Sequence, residues 1–302
     1  MFEIHTVGII GAGLMGTGIA EVCALAGLRT ILIRATGGDS AAADERVRAS
    51  MQARVARGKL AEADATAALG RLHATGDLAE AAACDLVIES IVEDLATKRD
   101  LFARLAPHLK PTAILASNTS TLKIADLADG PRAPRTLGLH FFSPVPAMSL
   151  VEIAHLPVTD PDALEAAQRF VARLGKTAVP VLDSTGFIVN RLLVPVLVGA
   201  IAAYEQGLAS AEHIDTAMKL GCGHPMGPLA LADLIGLDVV YAMSKLLYKE
   251  FGDDRFRPPA LLRRLVQNGQ LGKKAGLGLY DYRVKPPRGN LEALATPHAE
   301  AA

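Results

Sequence analysis

Short apolar runs alternate with longer mixed segments over the first 184 residues of the chain. The runs are typical of β-strands, and seven of them lie at residues 6–10, 30–33, 85–90, 113–116, 137–142, 149–154 and 177–182. Residues 17–26 have helical character, and residues 40–72, rich in Ala, Arg, Glu and Leu, predict an antiparallel helical hairpin. This alternation favours an α/β fold, with a Rossmann-type doubly wound sheet over residues 1–184.

The pattern becomes helical after a turn at residues 183–186. Helices are predicted at 187–208, 212–220, 228–251 and 259–268, so residues 185–302 are expected to form an all-α domain. The first of these helices is predicted to bend at Pro195. Its segment 192–203 is apolar on more than one side, which predicts burial against a second subunit and hence a homodimer. The tail after Tyr282 is expected to be disordered.

Composition narrows the class of protein. The chain has 302 residues, more than the ~100–200 of a typical single domain, and half of them are hydrophobic. Its net charge is −1 and both signs are mixed, so nothing indicates a nucleic-acid partner. The cysteines have no metal-site spacing, the first residues have no signal-peptide pattern, and segment 192–203 is too short to span a bilayer. We therefore expect a cytoplasmic protein without a metal or a membrane partner.

A glycine-rich turn joins the first predicted strand to the first helix. Its six residues are Gly11, Ala12, Gly13, Leu14, Met15 and Gly16. Glycines at this spacing allow a tight turn, close approach of the backbone to a pyrophosphate, and close packing of helix against strand. The helix N-terminus adds free N–H groups and the positive end of its dipole. In this context the motif predicts dinucleotide binding, although the spacing alone also occurs in structural turns.

The end of the second strand bears on which dinucleotide is bound. An Asp or Glu about 20 residues past the glycines commonly binds the ribose 2′-hydroxyl. This chain has Arg34 there, with Thr36 two residues on and Asp39 beyond Gly37-Gly38. A guanidinium and a hydroxyl suit the 2′-phosphate of NADP. Alternatively, Arg34 is a solvated charge and the backbone holds the ribose of NAD, so both cofactors stay open.

Polar residues also follow the later strands. Glu89 and Glu93 lie at and beyond the end of the third strand, and Lys98 lies on the next helix. Residues 117–120, Ser-Asn-Thr-Ser, follow the fourth strand. Residues at strand carboxyl ends line the cofactor crevice of a doubly wound sheet, although the cluster at 117–120 would also suit a helix N-cap.

One histidine, His140, lies in the apolar fifth strand, and one carboxylate, Glu152, lies in the next. A lone histidine in such a strand is more often a core residue. A buried carboxylate needs a partner, however, and His140 is the nearest candidate if the two strands pair. A carboxylate fixes the tautomer of a histidine and stabilises its imidazolium. The pair therefore predicts a general base, His140, oriented by Glu152.

Eight motifs occur in one order along the chain. They are GAGLMG at 11–16, IESIVED at 88–94, ASNTS at 116–120, HFFSP at 140–144, LVE at 150–152, GFIVNR at 186–191, HPMGP at 224–228 and GKK at 272–274. With these motifs the chain resembles the 3-hydroxyacyl-CoA dehydrogenases, most closely the single-function 3-hydroxybutyryl-CoA type. The resemblance extends from Val7 to about Tyr282.

The resemblance implies hydride transfer between a nicotinamide cofactor and C3 of a 3-hydroxyacyl thioester. It also implies that His140 is the general base, that Glu152 orients it, and that Ser117 and Asn190 contact the substrate oxygen. The helical C-terminal domain is implied to carry a dimer interface. Oxidation releases a proton, so we expect alkaline pH to favour it.

The resemblance further implies two sets of binding residues. Those implied to contact the cofactor are Glu93, Lys98, Ser117 and Lys274. Ser50 and Arg57 fall where the helical hairpin of such enzymes touches CoA. The hairpin cations (Arg46, Arg48, Arg54, Arg57 and Lys59) suit a phosphorylated substrate tail, or they form an ordinary solvated helical face.

Two positions depart from the family pattern. Ser143 stands where Asn is common after His-Phe-Phe, and a serine hydroxyl can still position the nicotinamide through a different geometry. Arg34 stands where most members have Asp, which leaves the choice between NAD and NADP open.

The sequence leaves two alternatives open. In the first, the chemistry is the same but the acyl group is carried by an acyl carrier protein, whose acidic helix would also suit the hairpin arginines. In the second, the chain is a non-catalytic dinucleotide-binding protein. The presence of His140, Glu152, Ser117 and Asn190 argues against the second alternative.

Overall fold

The structure, a computed structural model, describes residues 2–35, 40–128 and 130–293. The chain divides into two compact units, Met1–Phe187 and Ile188–Ala302. The first unit contains the large sheet, and the second is mainly helical.

A mixed β-sheet forms the centre of the first unit. Its strands are β1 Thr6–Ile10, β2 Arg29–Ile33, β3 Leu72–Thr75, β4 Leu86–Glu89, β5 Ile114–Ser117, β6 Thr136–Phe141, β7 Leu150–His155 and β8 Thr177–Leu182. Their order across the sheet is β3-β2-β1-β4-β5-β6-β7-β8. The first six strands are parallel, β7 runs antiparallel to β6, and β8 is parallel to β7. The strand order reverses between β1 and β4, where such sheets bind ligands at the carboxyl ends.

Helices cover both faces of this sheet. They are α1 Leu14–Leu25, α2 Ala41–Ala56, α3 Glu62–Leu69, α4 Leu95–Leu105 and α5 Pro161–Arg173, with short 3₁₀ turns at Leu78–Ala83, Ile124–Asp126 and Gly130–Arg135. Successive strand residues face opposite sides. Ile9 accordingly belongs to the apolar cluster that includes α1 and α5, whereas Ile10 belongs to the cluster that includes α4. The expected doubly wound α/β architecture is confirmed.

The second unit is built from five described helices and a short hairpin. They are α6 Val189–Glu205, α7 Ala211–Cys222, α8 Pro228–Ile235, α9 Leu237–Phe251 and α10 Ala260–Gln267, followed by β9 Tyr280–Asp281 and β10 Arg288–Gly289. Leu197, Tyr204, Leu229 and Leu265 lie in its apolar core. A further 3₁₀ turn, Lys273–Ala275, precedes the hairpin. The expected helical C-terminal region is confirmed.

Strand β3 has no counterpart among the elements predicted from the sequence. It lies at the edge of the sheet and has the sequence Leu-His-Ala-Thr, which contains no continuous apolar run. Its order comes from parallel pairing with β2, in the register from Thr30 with Leu72 to Ile33 with Thr75. A strand formed mainly by such long-range pairing carries a weak local signal.

Two expectations for the helical unit are wrong. The helix predicted at 228–251 is two helices, because Gly236 has a φ of +105° and separates α8 from α9. The tail is ordered over residues 283–293, since β10 pairs with β9 and the Asn290 amide donates to the Gly278 carbonyl at 2.8 Å. Residues 294–302 lie outside the described residues. Pro195 lies inside α6, which continues through it.

Candidate active site

Packing explains two glycines of the turn after β1 but not the third. Gly11 has a φ of +113°, and a Cβ there would lie 2.4 Å from the Ser90 carbonyl oxygen. A Cβ at Gly16 would lie 1.8 Å from the Gly11 carbonyl oxygen. A Cβ at Gly13 would meet none of the described protein atoms within 4 Å. A glycine that packing does not require, placed just before a helix, suits close approach of a pyrophosphate.

The start of α1 provides hydrogen-bond donors for such a group. Gly13 is the N-cap residue and contributes no side-chain hydrogen bond to the helix. Leu14 is 80% exposed, and Ala12 and Met15 are half-buried. The first N–H groups of a helix have no partner within the helix. The turn therefore fits the dinucleotide expected from its sequence.

Arg34 directly follows β2 at the carboxyl edge of the sheet and is half-buried. Its backbone N–H donates to the Thr75 carbonyl at 2.9 Å, which ties this position to the end of β3. Thr36, Gly37-Gly38 and Asp39, which were considered with Arg34 for binding the ribose or its 2′-phosphate, lie outside the described part of the chain.

A fully buried carboxylate, Glu89, lies at the end of β4. The sheet register pairs Glu89 with Ser117 at the end of β5. The Ser117 hydroxyl donates to Glu89 Oε2 at 2.6 Å, while Lys98 Nζ at 2.6 Å and the Ile91 N–H at 2.7 Å donate to Oε1. Ser117 is 0% and Lys98 1% exposed. Two predicted site residues thus share one carboxylate inside the protein.

A second carboxylate, Glu93, joins the loops that follow β4 and β5. Its Oε1 accepts hydrogen bonds from the hydroxyls of Thr119 at 2.5 Å and Thr121 at 2.9 Å, and from the Ser120 N–H at 3.0 Å. Lys98 Nζ lies 3.3 Å from its Oε2. Burial by itself would raise the pKa of Glu93, but Lys98 and the two hydroxyls outweigh burial and lower the pKa. Glu93 is therefore ionised at neutral pH.

His140 and Glu152 form a buried pair at the centre of the site. The antiparallel register of β6 and β7 places them directly opposite each other, so the expected strand pairing is confirmed. The distance from His140 Nδ1 to Glu152 Oε2 is 2.7 Å, and the two residues are 5% and 0% exposed. A carboxylate only accepts hydrogen bonds, so the proton of this contact belongs to Nδ1. The other ring nitrogen, Nε2, is then left as an acceptor.

Two aromatic rings flank the imidazole. The ring of Phe142 lies 4.3 Å and that of Phe187 5.7 Å from the His140 ring, measured between centroids. Phe187 is 2% exposed and has a φ of +48°, which is uncommon for a bulky residue. The two rings lie against the imidazole and restrict its orientation.

Asn118 connects three strand ends around this pair. Its side-chain oxygen accepts a hydrogen bond from the Phe141 N–H at 2.9 Å, and its amide nitrogen donates to the Ser90 hydroxyl at 3.2 Å. Asn118 follows β5, Phe141 ends β6 and Ser90 follows β4. The cluster at 117–120 therefore joins neighbouring strands, and the next helical turn begins only at Ile124.

A cleft of about 850 Å³ is bordered by α1, α2 and residues 143–147. Among the predicted residues, it is lined by Ser50, Arg57, Ser143 and Leu14. Its lining also contains Arg46, Arg54 and Lys59. Arg48 instead forms an ion pair with Asp44 at 3.1 Å on the same helix. Four of the five hairpin cations thus face one cleft, which favours their phosphate-binding interpretation over an ordinary solvated face.

Glu21 organises one side of this cleft. It lies in α1 and is 0% exposed. It accepts hydrogen bonds from the Ser50 hydroxyl at 2.6 Å and from Arg54 at 2.5 Å. The Glu21 carboxylate neutralises Arg54. The other three cations in the cleft lining, Arg46, Arg57 and Lys59, are not paired with Glu21.

Two predicted residues belong to the helical unit. Asn190 is the second residue of α6 and is 8% exposed. Lys274 lies in the turn Lys273–Ala275, and its Nζ is 2.6 Å and 2.7 Å from the two carboxylate oxygens of Asp238. Their assignments to substrate and cofactor stay predictions.

The remaining motif glycines of the helical unit have packing roles. A Cβ at Gly227 would lie 2.2 Å from the Asp215 side chain. The Asp215 carboxylate accepts hydrogen bonds from the Leu229 and Ala230 N–H groups at the start of α8. A Cβ at Gly272 would lie 2.5 Å from the Asp233 carbonyl oxygen. These parts of HPMGP and GKK therefore maintain the fold of the unit.

Sequence reasoning assigns no partner to Glu89 or Glu21, although both have a detectable signal. Each is a single carboxylate in an apolar element, Glu89 in β4 and Glu21 in α1. The same signal correctly pairs Glu152 with His140. Applied to Glu89 and Glu21, it predicts that each has a buried partner, but it does not identify which one.

The described residues contain no cluster of three or more His, Cys, Asp or Glu side chains suited to holding a metal ion. No described helix combines the length and the apolar character that crossing a bilayer requires.

Both units match known family domains. Residues 6–184 match the domain described as 3-hydroxyacyl-CoA dehydrogenase, NAD binding domain, and residues 186–282 match 3-hydroxyacyl-CoA dehydrogenase, C-terminal domain. The resemblance indicated by the eight motifs is confirmed.

Individual relatives cover nearly the whole chain. It is 44% identical over 282 residues to the 3-hydroxybutyryl-CoA dehydrogenase of Mycobacterium tuberculosis (strain ATCC 25618 / H37Rv). The aligned segment covers 92% of this chain and 99% of that protein. It is 42% identical over 289 residues to the mitochondrial hydroxyacyl-coenzyme A dehydrogenase of Sus scrofa, with 93% and 92% covered. The crystal structure of (S)-3-hydroxybutyryl-CoA dehydrogenase from Ralstonia eutropha matches with a TM-score of 0.89 at 41% identity, covering 93% of this chain and 99% of that one.

Proposed function

Because the chain belongs to the 3-hydroxyacyl-CoA dehydrogenase family, we propose that it interconverts 3-hydroxyacyl-CoA and 3-oxoacyl-CoA with a nicotinamide cofactor. The cofactor, when bound, accepts a hydride from C3 of the substrate or returns one to it. The relatives are named for 3-hydroxybutyryl-CoA, which supports a short acyl chain as the substrate.

The observation that carries this proposal is the buried pair of His140 and Glu152, with Nδ1 and Oε2 2.7 Å apart. In oxidation, His140 Nε2 takes the proton of the 3-hydroxyl group. In reduction, the imidazolium returns a proton to the developing alkoxide. Glu152 keeps the tautomer that leaves Nε2 free and stabilises the imidazolium. A base of this kind typically contributes about 10²–10⁴-fold to the rate.

The cofactor residues are proposed from the carboxyl edge of the sheet and from the family resemblance. The turn at 11–16 and the N-terminus of α1 bind the pyrophosphate. Arg34 follows β2, the strand end at which such sheets commonly hold the adenosine ribose, and it leaves NAD and NADP as alternatives. The nicotinamide half is assigned to Glu93, Lys98, Ser117, Ser143 and Lys274. The family is generally described as NAD-binding, which supports use of NAD.

The cleft lined by Ser50 and Arg57 is proposed to bind the CoA moiety, because its cations suit the phosphates of CoA. Asn190, together with Ser117, is proposed to contact the substrate oxygen. The same cations would suit an acidic acyl carrier protein. The relatives are named for CoA thioesters, which supports CoA as the carrier. Since they are named as dehydrogenases, they also favour an enzyme over a non-catalytic binding protein.

A homodimer through the helical unit is proposed from its exposed apolar residues. Leu192 and Val196 of α6 are 67% and 38% exposed, and Leu220, Leu234 and Val239 are 84%, 50% and 41% exposed. Apolar side chains at these positions would lose contact with water in a subunit interface.

A cofactor and substrate matrix tests the proposed function. NADH and NADPH would each be combined with 3-oxobutyryl-CoA, longer 3-oxoacyl-CoA and the corresponding acyl-carrier-protein thioester. We expect turnover with 3-oxobutyryl-CoA. We expect His140→Gln to lower kcat about 10²–10⁴-fold with little change in the Kd for NADH.

The matched control is His155→Gln, which removes a half-buried histidine from the opposite end of β7. We expect it to leave kcat unchanged. No turnover with either cofactor and any thioester would contradict the proposed function. A loss of less than tenfold in His140→Gln would contradict the role of His140.

A further inference from the structure

We propose that Lys176 is a positioning residue for the substrate: it holds residues 144–148, the wall segment, in the place where they form one side of the cleft assigned to CoA. Residues 144–147 line that cleft. The proposal rests on the proposed function, which assigns the cleft to CoA. Lys176 does not need to contact the ligand, because it acts through the backbone of the wall segment.

The hydrogen bonds of Lys176 are the first argument. Lys176 directly precedes β8, and its Nζ donates to the carbonyl oxygens of Val145 at 2.7 Å and Met148 at 2.6 Å. Among the described residues, no other side chain hydrogen-bonds to the wall segment. Within the segment, the N–H groups of Ala147 and Met148 donate to the Pro144 carbonyl at 2.9 Å and 3.1 Å. One ammonium group therefore ties this turn to the start of β8.

The open space on both sides of the wall segment is the second argument. Pro146 and Ala147 line the 850 Å³ cleft, and they also line a second cleft of about 380 Å³. Lys176 belongs to the lining of the second cleft. The wall segment contains no helix or strand. Packing therefore leaves these two positions open on both sides, and the bonds from Lys176 are what restrain the segment there.

A close contact with α1 restrains the wall segment at Val145. Val145 is 3% exposed, and a Cβ added at Gly18 of α1 would lie 2.9 Å from the Val145 Cβ. The absence of a side chain at Gly18 thus permits the segment to pack this closely on the helix. Arg46 and Arg57 lie in the lining that the hairpin contributes. The packing on α1 and the bonds from Lys176 together determine how far the wall segment lies from these cations.

Loss of Lys176 should therefore weaken binding of the CoA moiety. A wall segment without its hydrogen bonds would have to be ordered when the ligand binds. Fixing the backbone of a single residue costs enough to weaken binding about tenfold. This cost applies to a ligand that fills the cleft. It does not apply to the acyl group, whose reaction is assigned to His140.

Lys176→Met in the full-length enzyme tests the proposal, because methionine removes the donors and keeps much of the side-chain length. We expect the KM for 3-oxobutyryl-CoA to rise about tenfold, with kcat changed less than about threefold. The second substrate is the 3-oxobutyryl thioester of N-acetylcysteamine, which has the same acyl group and lacks the CoA nucleotide. Its kcat/KM should change less than about twofold.

Lys110→Met is the matched control. Lys110 Nζ also donates to a backbone carbonyl, that of Ala83 at 2.9 Å, and it pairs with Asp85 at 2.9 Å near the start of β4. Its loss should lower the Tm and leave the KM for both thioesters unchanged. A purely structural role for Lys176 would give the same result in Lys176→Met.

Two outcomes in Lys176→Met would overturn the proposal: a KM for 3-oxobutyryl-CoA within about twofold of wild type, or equal losses with both thioesters. If Lys176→Met does not fold, Gly18→Ala displaces the wall segment from the α1 side and should raise the same KM selectively. An unchanged KM in Gly18→Ala would then overturn the proposal. Failure of the proposed function is separate, because it would show as a wild type that does not turn over 3-oxobutyryl-CoA.

Discussion

Replacing Glu152 by Gln tests the central pair of the site directly. Glutamine keeps the volume of the side chain and removes its charge at a position that is 0% exposed. In the wild type, the carboxylate lies 2.7 Å from His140 Nδ1 and compensates the imidazolium that forms when Nε2 takes a proton. In the variant that imidazolium forms in a buried site without its counter-charge.

The size of the effect follows from this geometry. Removing one partner of a buried charged pair costs about 3–5 kcal/mol. Since about 1.4 kcal/mol corresponds to a factor of ten in rate, we expect kcat to fall roughly a hundred- to several-thousandfold. Glutamine can also donate its N–H₂ to Nδ1, which moves the ring proton to Nε2 and blocks the base. Both effects lower kcat, whereas the cleft assigned to CoA keeps its cations.

The assay is NADH absorbance with 3-oxobutyryl-CoA, together with the KM of the thioester, the Kd of NADH and the Tm. Glu80→Gln is the matched control, because Glu80 pairs with His73 at 3.0 Å on the surface, where their side chains are 35% and 57% exposed. It should leave kcat unchanged. A Glu152→Gln enzyme with kcat within tenfold of wild type across the pH profile would refute the role of the pair.

Three further predictions concern the cofactor, the assembly and pH. Arg34→Asp should shift the ratio of kcat/KM for NADH over NADPH toward NADH by roughly ten- to a hundredfold, through loss of a charge-assisted contact; an unchanged ratio would show that Arg34 does not contact the ribose. Sedimentation at micromolar concentration should give a dimer, and a stable monomer would contradict the apolar surface argument. Glu93, with a pKa lowered from 4.5, stabilises the fold above that pH and loses this contribution as the pH falls through its folded pKa. Glu93→Gln should therefore have a lower Tm than wild type at pH 7, with a difference that shrinks in acid; equal Tm values at pH 7 would contradict this.

The local sequence pattern was sufficient to predict most strands and helices of the first unit and part of the site. Strands and helices alternate because each must bury an apolar face, and this identifies the doubly wound unit. The turn at 11–16 is recognisable from the spacing of its glycines. Only glycine fits at Gly11, because of its positive φ and the nearby Ser90 carbonyl, and at Gly16, because of the nearby Gly11 carbonyl. The pair of His140 and Glu152 was predictable from one chemical requirement, that a carboxylate in an apolar strand needs a partner.

Only the tertiary structure decided which distant groups meet. Glu89 binds Ile91, Lys98 and Ser117, which are 2, 9 and 28 residues away, and Glu21 binds Arg54 33 residues away. Strand β3 likewise exists through its pairing with β2. Periodicity indicates which face of an element is buried, but not which strand lies beside it or which lysine reaches its end. Those contacts depend on the register and packing of elements joined by long crossovers. The hydrogen bond from the Ser117 hydroxyl to Glu89 is therefore a property of the folded sheet.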